Sequence, residues 1–105
     1  MMTVTATQPV KPGQNARVEA LMKDLTLQVR QEPGCVTFEY FRAKDNPNSY
    51  LVIEQYRDQA ALDVHLKTDY LQEFIPKMME CLAQPPTVLV YEDVFTDLPN
   101  QRKET

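Results

Sequence analysis

The chain's changes of hydrophobic repeat constrain its fold more than any other feature, and they are densest between Glu32 and Phe74. Cys35 to Ala43 alternates as a strand, with Val36, Phe38 and Tyr40 on one face and Cys35, Thr37, Glu39 and Phe41 on the other. Asp45-Asn46-Pro47-Asn48 is turn chemistry, and Tyr50 to Tyr56 returns as a second strand. That strand places Tyr50, Val52, Glu54 and Tyr56 on one side and Leu51, Ile53 and Gln55 on the other. So short a connection makes the pair an antiparallel hairpin. Asp58 then caps a helix running through Leu66, and that helix carries the chain's single histidine, His65.

The flanks repeat the scheme. Thr3 to Val10 reads as a first strand, with Pro9 near its end or at an edge. Lys11 to Asn15 forms a turn. Val18, Leu21, Met22, Leu25 and Val29 follow helical spacing, a stripe that Glu32-Pro33-Gly34 terminates. After Lys67-Thr68-Asp69, the stripe Leu71, Phe74, Ile75, Met78, Met79 and Leu82 predicts a second helical segment, with a kink at Pro76 favoured over a main helix that begins there. Pro85-Pro86 stops it, and Thr87 to Phe95 reads as the last strand. Residues 1–96 form one domain and 97–105 a polar, mobile tail. The result is an α+β fold, βαββαβ, with helices packed on one face of an antiparallel sheet.

Helices cover one face only, yet Val88-Leu89-Val90-Tyr91 and Leu51-Val52-Ile53 are apolar on both. An exposed apolar sheet face asks for a cover, and a homodimer joined through the sheets supplies it. The alternative is that central strands are simply hydrophobic.

With 105 residues, 43% of them apolar and 25% charged, the composition is that of one globular domain with a thin core. A net charge of -4 argues against nucleic acid or an anionic membrane surface as partner. No stretch reaches the roughly 20 apolar residues of a membrane span. The N-terminus lacks the pattern of a signal peptide. Cys35 and Cys81 show no CxxC spacing, which predicts free thiols in a reducing cytoplasm rather than a disulfide or zinc site. One histidine and no clustered thiolates predict no metal.

Leu62 and Ala61 precede His65 by three and four residues, so the ring shares their inward face. A group able to titrate near neutrality where a leucine would pack is a candidate general base, and a carboxylate such as Glu54 would orient it. The competing reading is a packed histidine paired with Glu54 for structural reasons. Phe38, Tyr40, Tyr50, Tyr56, Tyr70 and Phe74 could stack on a flat aromatic ligand, although aromatics at such spacing also serve as plain core.

The order and spacing of several pieces resemble the antibiotic biosynthesis monooxygenase family. They are Lys11-Pro12-Gly13, Glu32-Pro33-Gly34-Cys35, Phe38-Glu39, Asp45-Asn46-Pro47, Glu54-Gln55-Tyr56 and Ala60 to Leu66. The resemblance spans residues 3 to 95 and implies a dimeric ferredoxin-like domain with a pocket between sheet and helices and His65 at its wall. It implies oxidation of a phenolic or quinol compound by dioxygen without metal or organic cofactor, or proton-shuttling isomerisation of a small carbonyl compound. A non-catalytic, ligand-binding or stress-response dimer is the third possibility. Thr68-Asp69-Tyr70-Leu71 replaces the second histidine of many relatives, placing Tyr70 there. Ala6 stands where the haem-degrading branch has asparagine, and the chain has no tryptophan, so haem degradation is not expected.

Overall fold

The computed structural model describes residues 1–99, so most of the predicted tail, 100–105, lies outside the described residues. Seven elements follow one another: β1 (Met2–Pro9), α1 (Asn15–Val29), β2 (Cys35–Arg42), β3 (Ser49–Tyr56), α2 (Gln59–Leu66), α3 (Asp69–Cys81) and β4 (Thr87–Glu92). The four strands form one antiparallel sheet in the order β2-β3-β1-β4. The periodicities predict this antiparallel α+β arrangement, and it is the ferredoxin-like one that the resemblance implies. Pro9 ends β1, where its missing N–H costs the sheet no ladder bond. Gly13 (φ 87°) makes the turn into α1, a backbone region that side chains disfavour.

The α1 stripe delivers its expected face, and the α3 stripe does so except at Ile75 and Met79, which are exposed. Val18, Met22, Leu25 and Val29 of α1, and Leu71 and Met78 of α3, are buried against Val4, Phe38, Tyr50, Val52 and Tyr56 of the sheet. Asp58 caps α2, its Oδ1 accepting the Ala61 amide at 2.8 Å.

The helical stretch after β3 divides at Lys67-Thr68-Asp69, where the two stripes part: α2 ends at Leu66, and Thr68, extended (ψ 143°), redirects the chain into α3. Thr68 Oγ1 donates to His65 O at 2.8 Å and ties the junction. Pro76 lies inside α3, which begins seven residues earlier. Two further details differ from the sequence reading. A β-bulge between Cys35 and Thr37 shifts the register so that Cys35, opposite Tyr56, turns inward and Val36 is exposed. The last strand ends at Glu92, leaving Val94 and Phe95 exposed.

Paired residues point the same way, so Val88 and Val90, opposite Ala6 and Val4, face the helical side, and Leu89 and Tyr91 face the other. All four are about half exposed because no helix extends over β4. The sheet is apolar along this edge on both faces, as its sequence requires. No helix among the described residues is long and apolar enough to cross a membrane.

Candidate functional site

His65 is drawn inward by the face it shares with Leu62, and 3% of its surface is exposed. Two carboxylates flank the ring. Nδ1 lies 3.0 Å from Glu32 Oε2, and Nε2 lies 3.5 Å from Glu54 Oε1. The two glutamate side chains are only 10% and 12% exposed. Each has a tyrosine donor: Tyr56 Oη donates to Glu54 Oε1 at 2.6 Å, and Tyr70 Oη donates to Glu32 Oε2. The Tyr56 ring packs against the imidazole, centroids 5.0 Å apart.

Glu54 arrives by strand alternation, between Val52 and Tyr56. Glu32 arrives by a different route. Its N–H donates to Val29 O at the end of α1, and its carbonyl accepts from Cys35 N at 3.1 Å. Gly34 O accepts from Arg57 N at 3.0 Å, pinning the Pro-Gly turn beside α2. Gly34 is buried against Ala61, where any Cβ would collide with the Ala61 methyl. That close approach brings Glu32 under the histidine.

Burial pushes the Glu54 carboxyl above its ordinary range; the Tyr56 hydroxyl and His65 oppose the shift, and Glu32 adds to it. Burial, and then the neighbouring Glu54, push the Tyr56 phenol up, so it remains a neutral donor. Tyr70 is pushed up to about 12, first by burial and then by its bond to Glu32. A carboxyl whose folded pKa is raised holds its proton more tightly folded than unfolded. Its stabilising contribution is therefore full below the unfolded carboxylate pKa and fades as pH rises through the raised value. The stability advantage of the natural chain over Glu54→Gln is expected to shrink over that window, measured by urea unfolding at several pH values.

His65 and Glu54 open onto a cavity of about 150 Å³ between sheet and helices. Ala6, Gln8, Phe38 and Val52 form its floor, Met22, Leu71, Phe74 and Met78 its walls, and half-exposed Ile75, Met79 and Val88 stand at its mouth. Of the expected aromatic lining, Phe38 and Phe74 are here. Tyr40 and Tyr50 are not: they stack on each other, centroids 5.0 Å apart, in a separate groove of about 540 Å³ beside α1. Tyr56 lies behind the histidine, and Tyr70 is turned to Glu32. Sequence reasoning missed Glu32, which reads as part of a helix stop. Among the described residues, no group of three or more His, Cys, Asp or Glu side chains is arranged to hold a metal ion.

The fold and site define a small α+β domain with a buried histidine–carboxylate cluster at the wall of an apolar cavity. The model of the family described as antibiotic biosynthesis monooxygenase matches residues 1–77, and the chain belongs to that family. It is 35% identical over 83 residues to an uncharacterised protein of Synechocystis sp., covering 79% of this chain but 56% of the relative; it thus spans little more than half of that protein. It is 27% identical over 89 residues to the proposed monooxygenase YcnE of Bacillus subtilis, covering 85% of this chain and 94% of YcnE. A crystal structure of an antibiotic biosynthesis monooxygenase superposes with a TM-score of 0.83 at 31% identity, covering 90% of this chain and 99% of the other.

Proposed function

We propose that this protein is a monooxygenase that takes a small hydroxylated aromatic or quinol and dioxygen, with no metal or organic cofactor. The observation that carries the reading is the cavity wall, where His65 Nε2 and Glu54 stand together at the edge of an otherwise apolar space. A base positioned in so dry a site can take a phenolic proton, and the resulting anion is strongly reducing because no water solvates it. It passes one electron to dioxygen; the radical pair then joins at a ring carbon that carries hydrogen, para to the hydroxyl in a phenol and ortho to it in a quinol, forming a C–O bond. Loss of the hydrogen on that carbon, with cleavage of the O–O bond, leaves a quinone. The second oxygen departs as water, carrying two hydrogens from the substrate. His65 and Glu54 take the first proton and return it to the departing oxygen.

Size narrows the substrate. An apolar cavity of about 150 Å³ holds a molecule the size of benzene, so a single ring fits inside, and any side chain would extend past Ile75, Met79 and Val88. Oxygen uptake with a panel of monocyclic quinols and phenols tests the proposal, and stoichiometric uptake with quinone formation is expected. Turnover of a small carbonyl compound without oxygen uptake would instead make this an isomerase using the same base. Binding without turnover would make it a ligand-binding domain.

We also propose that a second copy covers the apolar flank at β4. Val88 belongs both to that flank and to the mouth of the cavity, so a partner there would further dry the site. Leu89→Asp, on the face away from the helices, is expected to convert a dimer to monomer in light scattering. A wild-type monomer at micromolar concentration would remove this part of the proposal.

A further inference from the structure

Glu32 stands on the side of His65 away from the cavity. Of these three side chains, His65 and Glu54 line the cavity and Glu32 does not. Glu32 lines instead an outer pocket of about 270 Å³, with Pro33, Gly34, Arg57, Asp58, Ala60 and Val64. The ring thus has one nitrogen toward a carboxylate of the cavity and the other toward a carboxylate of the outer pocket. Glu32 Oε1, the oxygen facing neither Tyr70 nor the ring, is buried with no hydrogen-bond partner among the described residues. A buried carboxylate oxygen without a donor is costly, and it leaves this carboxylate with lone pairs committed to no other group.

We infer that Glu54, His65 and Glu32 form a proton path that connects the cavity to solvent through the outer pocket. This rests on the base role assigned to His65 above and adds the route by which that base exchanges protons with water. When a ring-sized ligand fills the cavity and its mouth, Glu54 and Nε2 lose water on that side. A proton taken at Nε2 can then leave from Nδ1 to Glu32 Oε2, and from the Glu32 carboxyl to water in the outer pocket. The ring ends as its other tautomer with one proton exported. When the departing oxygen needs a proton, the same steps run backward and restore the starting tautomer. Glu32 is a positioning and relay residue here, not a group touching substrate. The groups bearing on the path are Glu32 from the loop after α1, Cys35 from β2, Glu54 and Tyr56 from β3, and Tyr70 from α3. Arg57 and Asp58 stand at the outer end.

Because His65 is the chain's only histidine, its ring nitrogens give unambiguous NMR signals. The test is the tautomer balance and the solvent exchange of the ring N–H in 15N-labelled protein saturated with benzene, which fills the cavity and leaves only the outer route. Glu32→Gln, nearly isosteric, is expected to trap one tautomer and slow exchange by roughly a hundredfold, the scale of a lost proton-transfer group. Glu32→Asp should restore part of the rate. Ala60→Trp, at an exposed position on the rim, should slow exchange while leaving the tautomer balance alone. Unchanged exchange in Glu32→Gln, or in Ala60→Trp, overturns the path. Should Glu32→Gln fail to fold, Ala60→Trp decides alone. No substrate or oxygen is involved, so failure of the monooxygenase reading would leave these measurements intact, and their failure would leave oxygen uptake intact.

Discussion

Replacing His65 by asparagine is expected to lower kcat/KM for the oxidised substrate by 10²- to 10⁴-fold, the usual contribution of a positioned general base. Asparagine keeps a polar group in the space but cannot accept and release a proton near neutrality. Ligand binding should change far less, because Phe38, Phe74, Met78 and the other apolar contacts remain. The structural cost needs separate reckoning. Removing the ring leaves Glu32 and Glu54 facing a gap, and breaking a buried ion pair can cost about 3–5 kcal/mol. Glu54 already binds its proton unusually tightly, so it can neutralise itself. A loss of about 1–3 kcal/mol, the cost of an unmet buried hydrogen bond, is therefore expected. Urea unfolding measures that loss, and steady-state oxygen uptake at a temperature where the variant is folded measures the other. Full activity in a folded His65→Asn protein would reduce His65 to a packing residue.

The second large effect is expected at Gly34, far smaller in chemistry but direct in its steric cause. An added Cβ meets the Ala61 methyl well inside contact distance, with Ala61 held in α2 and Gly34 pinned by Arg57 N. Neither backbone can retreat without moving Glu32 from His65. Gly34→Ala should therefore destabilise by about 1–3 kcal/mol, the range for overpacked cores. It should also disturb the His65 ring signals. Adding Ala61→Gly removes the clash, at about 1 kcal/mol for glycine inside a helix. The pair should thus be clearly more stable than the sum of the two single changes, and a double-mutant cycle measures this coupling. Additive effects would mean that the closeness of the Gly34 turn and α2 at this point carries no energetic weight.

How far the sequence discloses this site depends on the range of each contact. His65 and Glu54 are legible because local periodicity decides which way each faces. The same reasoning places Tyr40, Tyr50 and Tyr56 correctly on the helix-facing side of the sheet. It cannot say which part of that side is hollow, since the cavity is the space between α1, α3 and β4, and Tyr40 and Tyr50 lie at the opposite flank of α1. Glu32 is the clearest case. Before Pro33 and Gly34 it reads as the end of a helix, and its meeting with His65 needs a loop to fold back across 33 positions. The only local sign is that a glycine able to pack closely follows it. The bulge at Val36 is similarly invisible, because regular alternation across Cys35 to Phe41 fits either register.

The two flanks of the sheet are not equivalent. At β2 the bulge distorts the outer ladder, and Glu39 and Arg42 bring charge to that strand, both of which discourage an incoming strand. At β4 the run Val88 to Tyr91 has neither safeguard. If a second copy covers β4 as proposed, contact would use one flank of each molecule, and an association of that kind would close on itself instead of growing into ribbons.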